Sequence, residues 1–402
     1  MDKKQLIEQV LTRGVEKIFP AHDFLAARLA EGKILTLYAG FDPTGPTLHL
    51  GHVIQLQKLA DFQKLGHKVI FLIGSFTAMI GDPSDKAATR TQLTKEQVVA
   101  NAMHYREEAS KFLDFSGHNP AEIRYNGDWL SKLNFEDVLK LASNFTAQQM
   151  MERDMFQKRM EEAKPIYLHE FFYPLMQGYD SVAMDVDGEI GGNDQTFNML
   201  VGRDLMKIFK GKEKFIVALR ILTDSDGKKM GKTEGNMVSL LDNPKDMFGK
   251  VMSWPDGMIV PALELCTRMP MEEVRQMETD MKKGANPRDS KIRLAHELVR
   301  QYYGMAEADR AEAEFKSMFS QGHKPTEMDV FHVGKPSIGI VDLLVTSRLA
   351  ASKAEAKRLI EQKGVKIDDR VIETKEELIE IPKSGVVLPR EGVAASPLSK
   401  GD

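Results

Sequence analysis

Near the amino end, short apolar runs alternate with stretches of helical period. Ile34 to Phe41 is apolar and stops at the turn-rich Asp42-Pro43-Thr44-Gly45-Pro46. A helical pattern follows from about Gly51 through Leu56, Leu59 and Phe62 to Gly66, and Val69 to Ile73 reads as a wholly apolar strand. Such a strand-helix-strand unit predicts a parallel sheet with right-handed crossovers and ligands at the carboxyl ends of its strands. Phe215 to Leu222 is a further strand-like run, leading into the loop Thr223-Asp224-Ser225-Asp226-Gly227. Between these strands, about 94–164 reads mainly as charged amphipathic helices, with Thr94 and Gln97 as a capping box. From about Ser239 to Phe319 the pattern is helical, broken by Pro244, Pro255, Pro261 and Pro287, and an irregular linker follows. Beyond it Ser352 and Glu355 form another capping box, Ala356, Leu359 and Ile360 give a buried stripe, and Gly364 stops the helix.

The 402 residues suggest two or three domains, and 42% hydrophobic with 28% charged residues fits a globular chain with a substantial core. No apolar run approaches the roughly 20 residues that cross a bilayer. Met1 to Pro20 is charged and carries no signal-type apolar stretch, so a cytoplasmic protein without a membrane partner is expected. The single cysteine, Cys266, excludes an internal disulfide and a metal site of several thiolates. A formal charge of −4 gives no global attraction to nucleic acid, so such a partner needs a local basic surface.

Two short motifs carry candidate chemistry. His49-Leu50-Gly51-His52 falls where the first helix opens, and there free backbone N–H groups and the helix dipole attract phosphate. Lys229-Met230-Gly231-Lys232-Thr233 lies in a Gly-flanked loop after a strand, placed to close over outer phosphates. Together they suit a polyphosphate gripped from both sides, which points to activation of a substrate by ATP. Plainer readings stand beside these: a surface histidine pair or half a zinc site, though no partner ligand motif accompanies it, and a solvated basic turn. Tyr173, Gln177 and Asp180 would share one helix face, which alone also reads as an ordinary helix flank.

The ordered set Tyr38-Ala39-Gly40-Phe41-Asp42-Pro43-Thr44, His49-Leu50-Gly51-His52, Gly81-Asp82-Pro83-Ser84, Gly191-Gly192-Asn193-Asp194-Gln195 and Lys229-Met230-Gly231-Lys232-Thr233 resembles class I aminoacyl-tRNA synthetases. Within them it resembles the bacterial tyrosyl-tRNA synthetases, over nearly the whole chain. Tyr173, Gln177 and Asp180 with Tyr38 are similar to that family's tyrosine pocket rather than to its tryptophan relative's. The resemblance implies that Asp82, Tyr173 and Gln177 hold the substrate ammonium, that Gln195 lies near the carboxylate, and that Asp42 sits beside the pocket. Tyr38 and Asp180 would offer the phenol a donor and an acceptor, which phenylalanine would leave unpaired. Gly40, His49, Gly51, His52, Gly191, Gly192, Asp194 and Lys232 are implied at ATP, with Asp194 and His52 on the ribose side. Thr44 and His49 are implied at the γ-phosphate, and Lys86, Arg90, Lys229, Lys232 and Thr233 as a clamp on the leaving pyrophosphate. Mg²⁺ is implied as a partner of the phosphates, and no carboxylate cage for it is evident.

The implied reaction joins L-tyrosine to AMP with loss of pyrophosphate and then passes tyrosine to the 3′ end of tRNA(Tyr). The implied architecture is α/β: a Rossmann-like parallel-sheet catalytic domain over 1–238, whose helical insertion at about 94–164 makes a homodimer interface. An α-helical anticodon-arm domain over 239–320, a linker at 321–336, a small α+β S4-like RNA-binding domain over 337–392 and a disordered tail at 393–402 complete it. Arg348, Lys353, Lys357, Arg358, Lys363 and Lys366 would face RNA phosphates in the S4-like part, where the plainer reading is a soluble helix. Arg288, Lys291, Arg293 and Arg300 form a basic run in the helical domain. The chain departs from the family at Leu50, Ala39, Asp85, Thr196, Phe197, Gly231 and Thr233, and its final strands lack the usual basic ending. A tryptophanyl synthetase, a non-catalytic RNA-binding relative and another nucleotidyl transferase of the same architecture are the competing readings.

Overall fold

Six strands form the sheet of the larger unit, Met1–Ala313: β1 Val15–Phe19, β2 Thr36–Phe41, β3 Lys68–Ile73, β4 Glu122–Tyr125, β5 Gly188–Gly192 and β6 Phe215–Leu219. Their order is β1-β6-β5-β2-β3-β4 in a computed structural model. It describes residues 2–83, 93–223, 237–320, 328–331, 336–347, 349–350, 352–361, 365–367, 370–380 and 386–389. All neighbours pair in parallel except β1, which lies antiparallel to β6 at the edge. The expected parallel α/β sheet is therefore present, with an antiparallel edge strand added.

β3 and β6 are buried at nearly every position, which is why they read as unbroken apolar runs. β5 is equally buried yet reads Gly-Glu-Ile-Gly-Gly. A Cβ on Gly188 would stand 2.1 Å from the Phe215 ring, so packing against β6 demands glycine and erases the hydrophobic signal. Residues 94–164 are mainly helical as expected, with β4 an unforeseen addition: Glu122–Tyr125 extends the sheet beyond β3, on an exposed edge that needs no apolar run. Phe215 to Leu222 is also shorter as a strand than expected, ending at Leu219.

Helix Leu50–Lys64 follows β2 and is buried nearly all round, including Gln57, Lys58 and Asp61. Those polar groups have specific partners. Lys58 Nζ donates to the carbonyls of Gln9, Val10 and Arg13 at 3.1, 2.8 and 2.8 Å, closing the end of helix Lys3–Thr12. Asp61 accepts from Arg268 Nη1 at 2.8 and 2.9 Å, and Gln57 Nε2 donates to the Cys266 carbonyl at 2.9 Å. Helix Ile259–Cys266 thus packs directly on helix Leu50–Lys64, and the helical region up to Ala313 belongs to the same compact unit as the sheet. Pro244 and Pro287 stand in the first turns of helices Pro244–Met252 and Pro287–Tyr303, where a missing N–H costs nothing. The capping box at Thr94 and Gln97 is present at the start of helix Lys95–Ala102.

Helices Leu168–Met184 and Thr196–Lys210 cross closely at Gly178 and Gly202. A Cβ on Gly202 would lie 2.6 Å from Lys214 Nζ and 3.1 Å from Ser181 Oγ. That absent side chain leaves room for the buried Lys214 to reach the floor of the site.

The smaller unit, Glu314–Asp402, pairs β7 Met328–Phe331 with β12 Val386–Pro389, β8 Ser337–Gly339 with β11 Leu378–Glu380, and β9 Lys366–Ile367 with β10 Arg370–Val371. All three pairs are antiparallel. Helices Ile340–Thr346 and Lys353–Glu361 share a core of Ile340, Leu343, Leu344, Ala350, Ala356, Ile360, Val365, Ile372 and Ile379. Lys353, Lys357 and Arg358 are exposed on the second helix, with Lys353 Nζ 2.8 Å from Asp342. Lys366 lies in β9; Arg348, Lys363, the stop at Gly364 and the tail lie outside the described residues.

Candidate active site

The carboxyl end of β2 is the meeting point of the site. His49 caps the helix that follows: its Nδ1 accepts from the Gly51 N–H at 3.1 Å, while His52 Nδ1 accepts from the His49 N–H at 3.1 Å. A neutral imidazole whose Nδ1 accepts carries its proton on Nε2. The rings stack at 3.9 Å, and His52 meets the Phe41 ring edge-on at 5.9 Å. Gly51 lies in the first helical turn, Gly40 is exposed in β2, and Thr44 is exposed with its N–H 2.7 Å from the Asp42 carbonyl.

The chain returns to this junction after β6. Leu50 N–H donates to the Val238 carbonyl at 3.1 Å and Leu240 N–H to the Leu48 carbonyl at 3.0 Å. Thr47 Oγ1 lies 2.8 Å from Ser239 Oγ. Glu108, buried on helix Tyr105–Ala109, accepts from Thr47 Oγ1 at 2.8 Å and from the Leu48 N–H at 2.7 Å. His49 itself pairs with Ser239 in an isolated antiparallel bridge. Lys86, Arg90, Lys229, Lys232 and Thr233 lie outside the described residues.

Beneath β2 a buried polar bed runs along helix Leu168–Met184. Tyr38 is fully buried, with its hydroxyl 3.0 Å from Ser181 Oγ and 3.4 Å from the Gln177 carbonyl. Asp180 is buried on the same helix and accepts from Trp129 Nε1 at 2.8 Å and Asn126 Nδ2 at 3.2 Å. Asn126 Nδ2 also donates to Thr77 Oγ1 at 2.9 Å, and Thr77 Oγ1 donates to Asp42 Oδ1 at 2.6 Å. Tyr173 donates to Asp42 Oδ2 at 2.8 Å. Gln177 Nε2 donates to Glu189 Oε1 at 2.9 Å, and Gln195 Nε2 to Asp82 Oδ2 at 2.5 Å. Lys214 Nζ, fully buried, donates to Ser181 Oγ at 2.9 Å and to Glu189. Gly191 and Gly192 end β5, and Asp194 and Gln195 occupy the short 3₁₀ turn after it.

Burial dominates the proton affinities here. It raises the Tyr38 and Tyr173 hydroxyls well above the usual phenol value, reinforced at Tyr38 by Glu189 and Asp180 and at Tyr173 by Asp42 and Asp82. Both therefore remain donors at neutral pH. Burial also raises Asp180, against the opposing bonds from Trp129 and Asn126, and lowers the Lys214 ammonium, which Glu189 supports. Among the described residues no group of three His, Cys, Asp or Glu side chains could hold a metal.

The site unites Tyr38, Asp42, Tyr173, Gln177 and Asp180 through direct bonds or a shared helix, and the bonded pair Asp82 and Gln195 joins them through Asn198, which donates to both Gln177 and Gln195. Sequence reasoning missed Thr77, Asn126, Trp129, Ser181, Glu189, Asn198 and Lys214. Asn126 follows the unrecognised β4, and Glu189 lies in the glycine-rich β5. Ser181 beside Asp180 offered the one nearby signal.

A histidine-capped helix at the carboxyl end of a parallel strand, next to a buried polar bed, is an arrangement suited to a nucleotide's phosphates. The family model described as tRNA synthetases class I (W and Y) matches residues 30–320, and the S4 domain model matches residues 338–380. The chain belongs to the class I tRNA synthetase family of the W and Y type. It is 45% identical over 364 residues to a tyrosine–tRNA ligase of Mannheimia succiniciproducens, covering 90% of this chain and 91% of that one. It is 45% identical over 382 residues to one of Carboxydothermus hydrogenoformans, covering 92% and 91%. Among solved structures, a truncated mitochondrial tyrosyl-tRNA synthetase of Aspergillus nidulans matches with a TM-score of 0.65 at 23% identity, over 78% of this chain and 94% of that one. The tyrosyl-tRNA synthetase of Archaeoglobus fulgidus complexed with L-tyrosine matches with a TM-score of 0.60 at 22% identity, over 77% and 100%. These two share the fold.

Proposed function

We infer that the chain is a tyrosine–tRNA ligase that activates L-tyrosine with ATP and charges tRNA(Tyr). The observation that carries the reading is the junction at β2, where the capped histidine pair adjoins Asp42 and the bed of Tyr38, Tyr173 and Asp180. In this reading the phenol lies against Tyr38 and Asp180, its ammonium against Asp82, Tyr173 and Gln177, and its carboxylate near Gln195. The adenosine runs along Gly40, Gly51, Gly191, Gly192 and Asp194 with His52 at the ribose. Thr44 and His49 hold the γ-phosphate. Lys86, Arg90, Lys229, Lys232 and Thr233 hold the leaving pyrophosphate.

The tyrosine carboxylate is already an anion, so its attack on the α-phosphorus needs no general base. The P–O bond to pyrophosphate breaks as the acyl-phosphate bond forms, and charge gathers on the β- and γ-phosphates. Donors fixed in advance, Thr44 and His49 among them, bind that charge without reorganising. Mg²⁺ would arrive with the triphosphate and neutralise part of it. The tRNA ribose hydroxyl then attacks the acyl carbon and AMP leaves.

The finer domain division, 1–238, 239–320, 321–336 and 337–392, belongs to this reading, with exposed Lys353, Lys357 and Arg358 supporting RNA contact by the last part. The expected compartment is the cytoplasm, where charged tRNA is used; among the described residues no helix is long and apolar enough to cross a membrane. A homodimer is part of the proposal too. Phe135 and Leu168, each 78% exposed, stand with Leu139 and Phe172 on two helices in contact, an apolar patch suited to a second copy. The test is pyrophosphate exchange into ATP with tyrosine, phenylalanine and tryptophan in parallel. Exchange driven by tyrosine alone is expected; exchange driven by tryptophan, or indifferent to tyrosine, contradicts the reading.

A further inference from the structure

Between the two glutamines of the amino acid site stands Asn198, a residue fully buried in the first turns of helix Thr196–Lys210. Its Nδ2 donates to Gln177 Oε1 at 3.0 Å and to Gln195 Oε1 at 2.9 Å. The far ends of both glutamines are tied to carboxylates, Gln177 Nε2 to Glu189 and Gln195 Nε2 to Asp82. Glu189 is paired in turn with the buried Lys214. We propose that Asn198 is a positioning residue that fixes the amide orientation of Gln177 and Gln195, and thereby the seat of the substrate's charged end.

An ionised carboxylate only accepts, so each glutamine must turn its NH₂ to its own carboxylate and its oxygen to Asn198. Asn198 must then present NH₂ to both. The directions follow from this chemistry and not from telling oxygen from nitrogen in a side-chain amide. Asn198 Oδ1 is buried with no donor among the described residues, so the NH₂ group alone sets its side chain. The result is a polarised chain, Glu189 ← Gln177 ← Asn198 → Gln195 → Asp82.

That polarity matches a zwitterion. Gln177 Oε1 keeps a second lone pair, the acceptor an ammonium needs, and Gln195 Nε2 keeps a second N–H, the donor a carboxylate needs. Inverting either amide would set like against like. The inference rests on the tyrosine–tRNA ligase reading, which puts Gln177 at the ammonium and Gln195 near the carboxylate.

The experiment measures binding of L-tyrosine, tyramine and p-cresol to the full chain and to Asn198→Ala and Asn198→Asp, with KM for ATP alongside. Asn198→Ala is expected to weaken tyrosine by about tenfold, the loss of one buried hydrogen-bonding bridge, tyramine by less and p-cresol not at all. Asn198→Asp, whose carboxylate repels both glutamine oxygens, is expected to weaken tyrosine further, with KM for ATP unchanged in both. Should Asn198→Asp not fold, Asn198→Ala carries the comparison. Equal losses for p-cresol and tyrosine, or unchanged tyrosine binding in Asn198→Ala, overturn the inference while the parent activity stands. A parent chain that binds no tyrosine overturns the inference and the functional reading together.

Discussion

In the proposed function, Asp180 concentrates the specificity of the site in one side chain. It is buried, its carboxyl is raised by that burial, and two donors from beyond its own helix, Asn126 and Trp129, hold it in place. A phenol hydroxyl arriving there donates to an acceptor already aimed; a phenyl ring leaves it unsatisfied. Replacing Asp180 by Ala is expected to cut the preference for tyrosine over phenylalanine in pyrophosphate exchange by about 10- to 100-fold, the range for an unpaired buried polar group. An undiminished preference would remove Asp180 from the discriminating role. Tyr38, His49, His52, Tyr173, Gln177 and Asp180 could be picked out in the sequence because their short motifs resemble those of a known family. Their supports could not: Trp129 acts on Asp180 from across 51 positions, and Lys214 on Glu189 from across 25. Nothing local in the chain encodes such pairings.

At the scale of elements, the sequence disclosed whatever an apolar run or a helical period dictates, namely β2, β3, β6 and the helix after His49. β5 stayed hidden because close packing replaced its side chains with glycine, and β1 and β4 because they are edges. The junction of Leu48–Leu50 with Val238–Leu240 was equally hidden, since backbone pairing between distant segments leaves no periodicity. Glu108 fastens helix Tyr105–Ala109 to that junction, and burial raises its carboxyl despite the bonds from Thr47 and Leu48. A carboxyl raised in the folded state contributes stability that is present below its unfolded value near 4.5 and is lost as pH rises through the folded value. Between pH 4 and pH 8 the parent chain is therefore expected to lose more stability in urea unfolding than Glu108→Gln. Parallel curves would show that Glu108 carries no such cost.

Over the whole molecule, the proposed binding of tRNA needs local cations in a chain of net negative charge. The formal charge is −4, and Lys353, Lys357 and Arg358 project from helix Lys353–Glu361. Each cation set against a phosphate adds about 0.7 to 0.9 to the steepness with which binding falls with salt. Lys357→Ala with Arg358→Ala is expected to reduce that slope by roughly 1.5 and weaken tRNA(Tyr) binding at low salt, leaving tyrosine-dependent pyrophosphate exchange intact. An unchanged slope would take this helix out of the RNA interface. The account as a whole is tested most directly by a crystal structure with a non-hydrolysable tyrosyl-adenylate analogue. It predicts the phenol oxygen within hydrogen-bonding reach of both Tyr38 and Asp180 and the ribose beside His52. An analogue bound away from the carboxyl end of β2, or with its ring remote from Asp180, would contradict it.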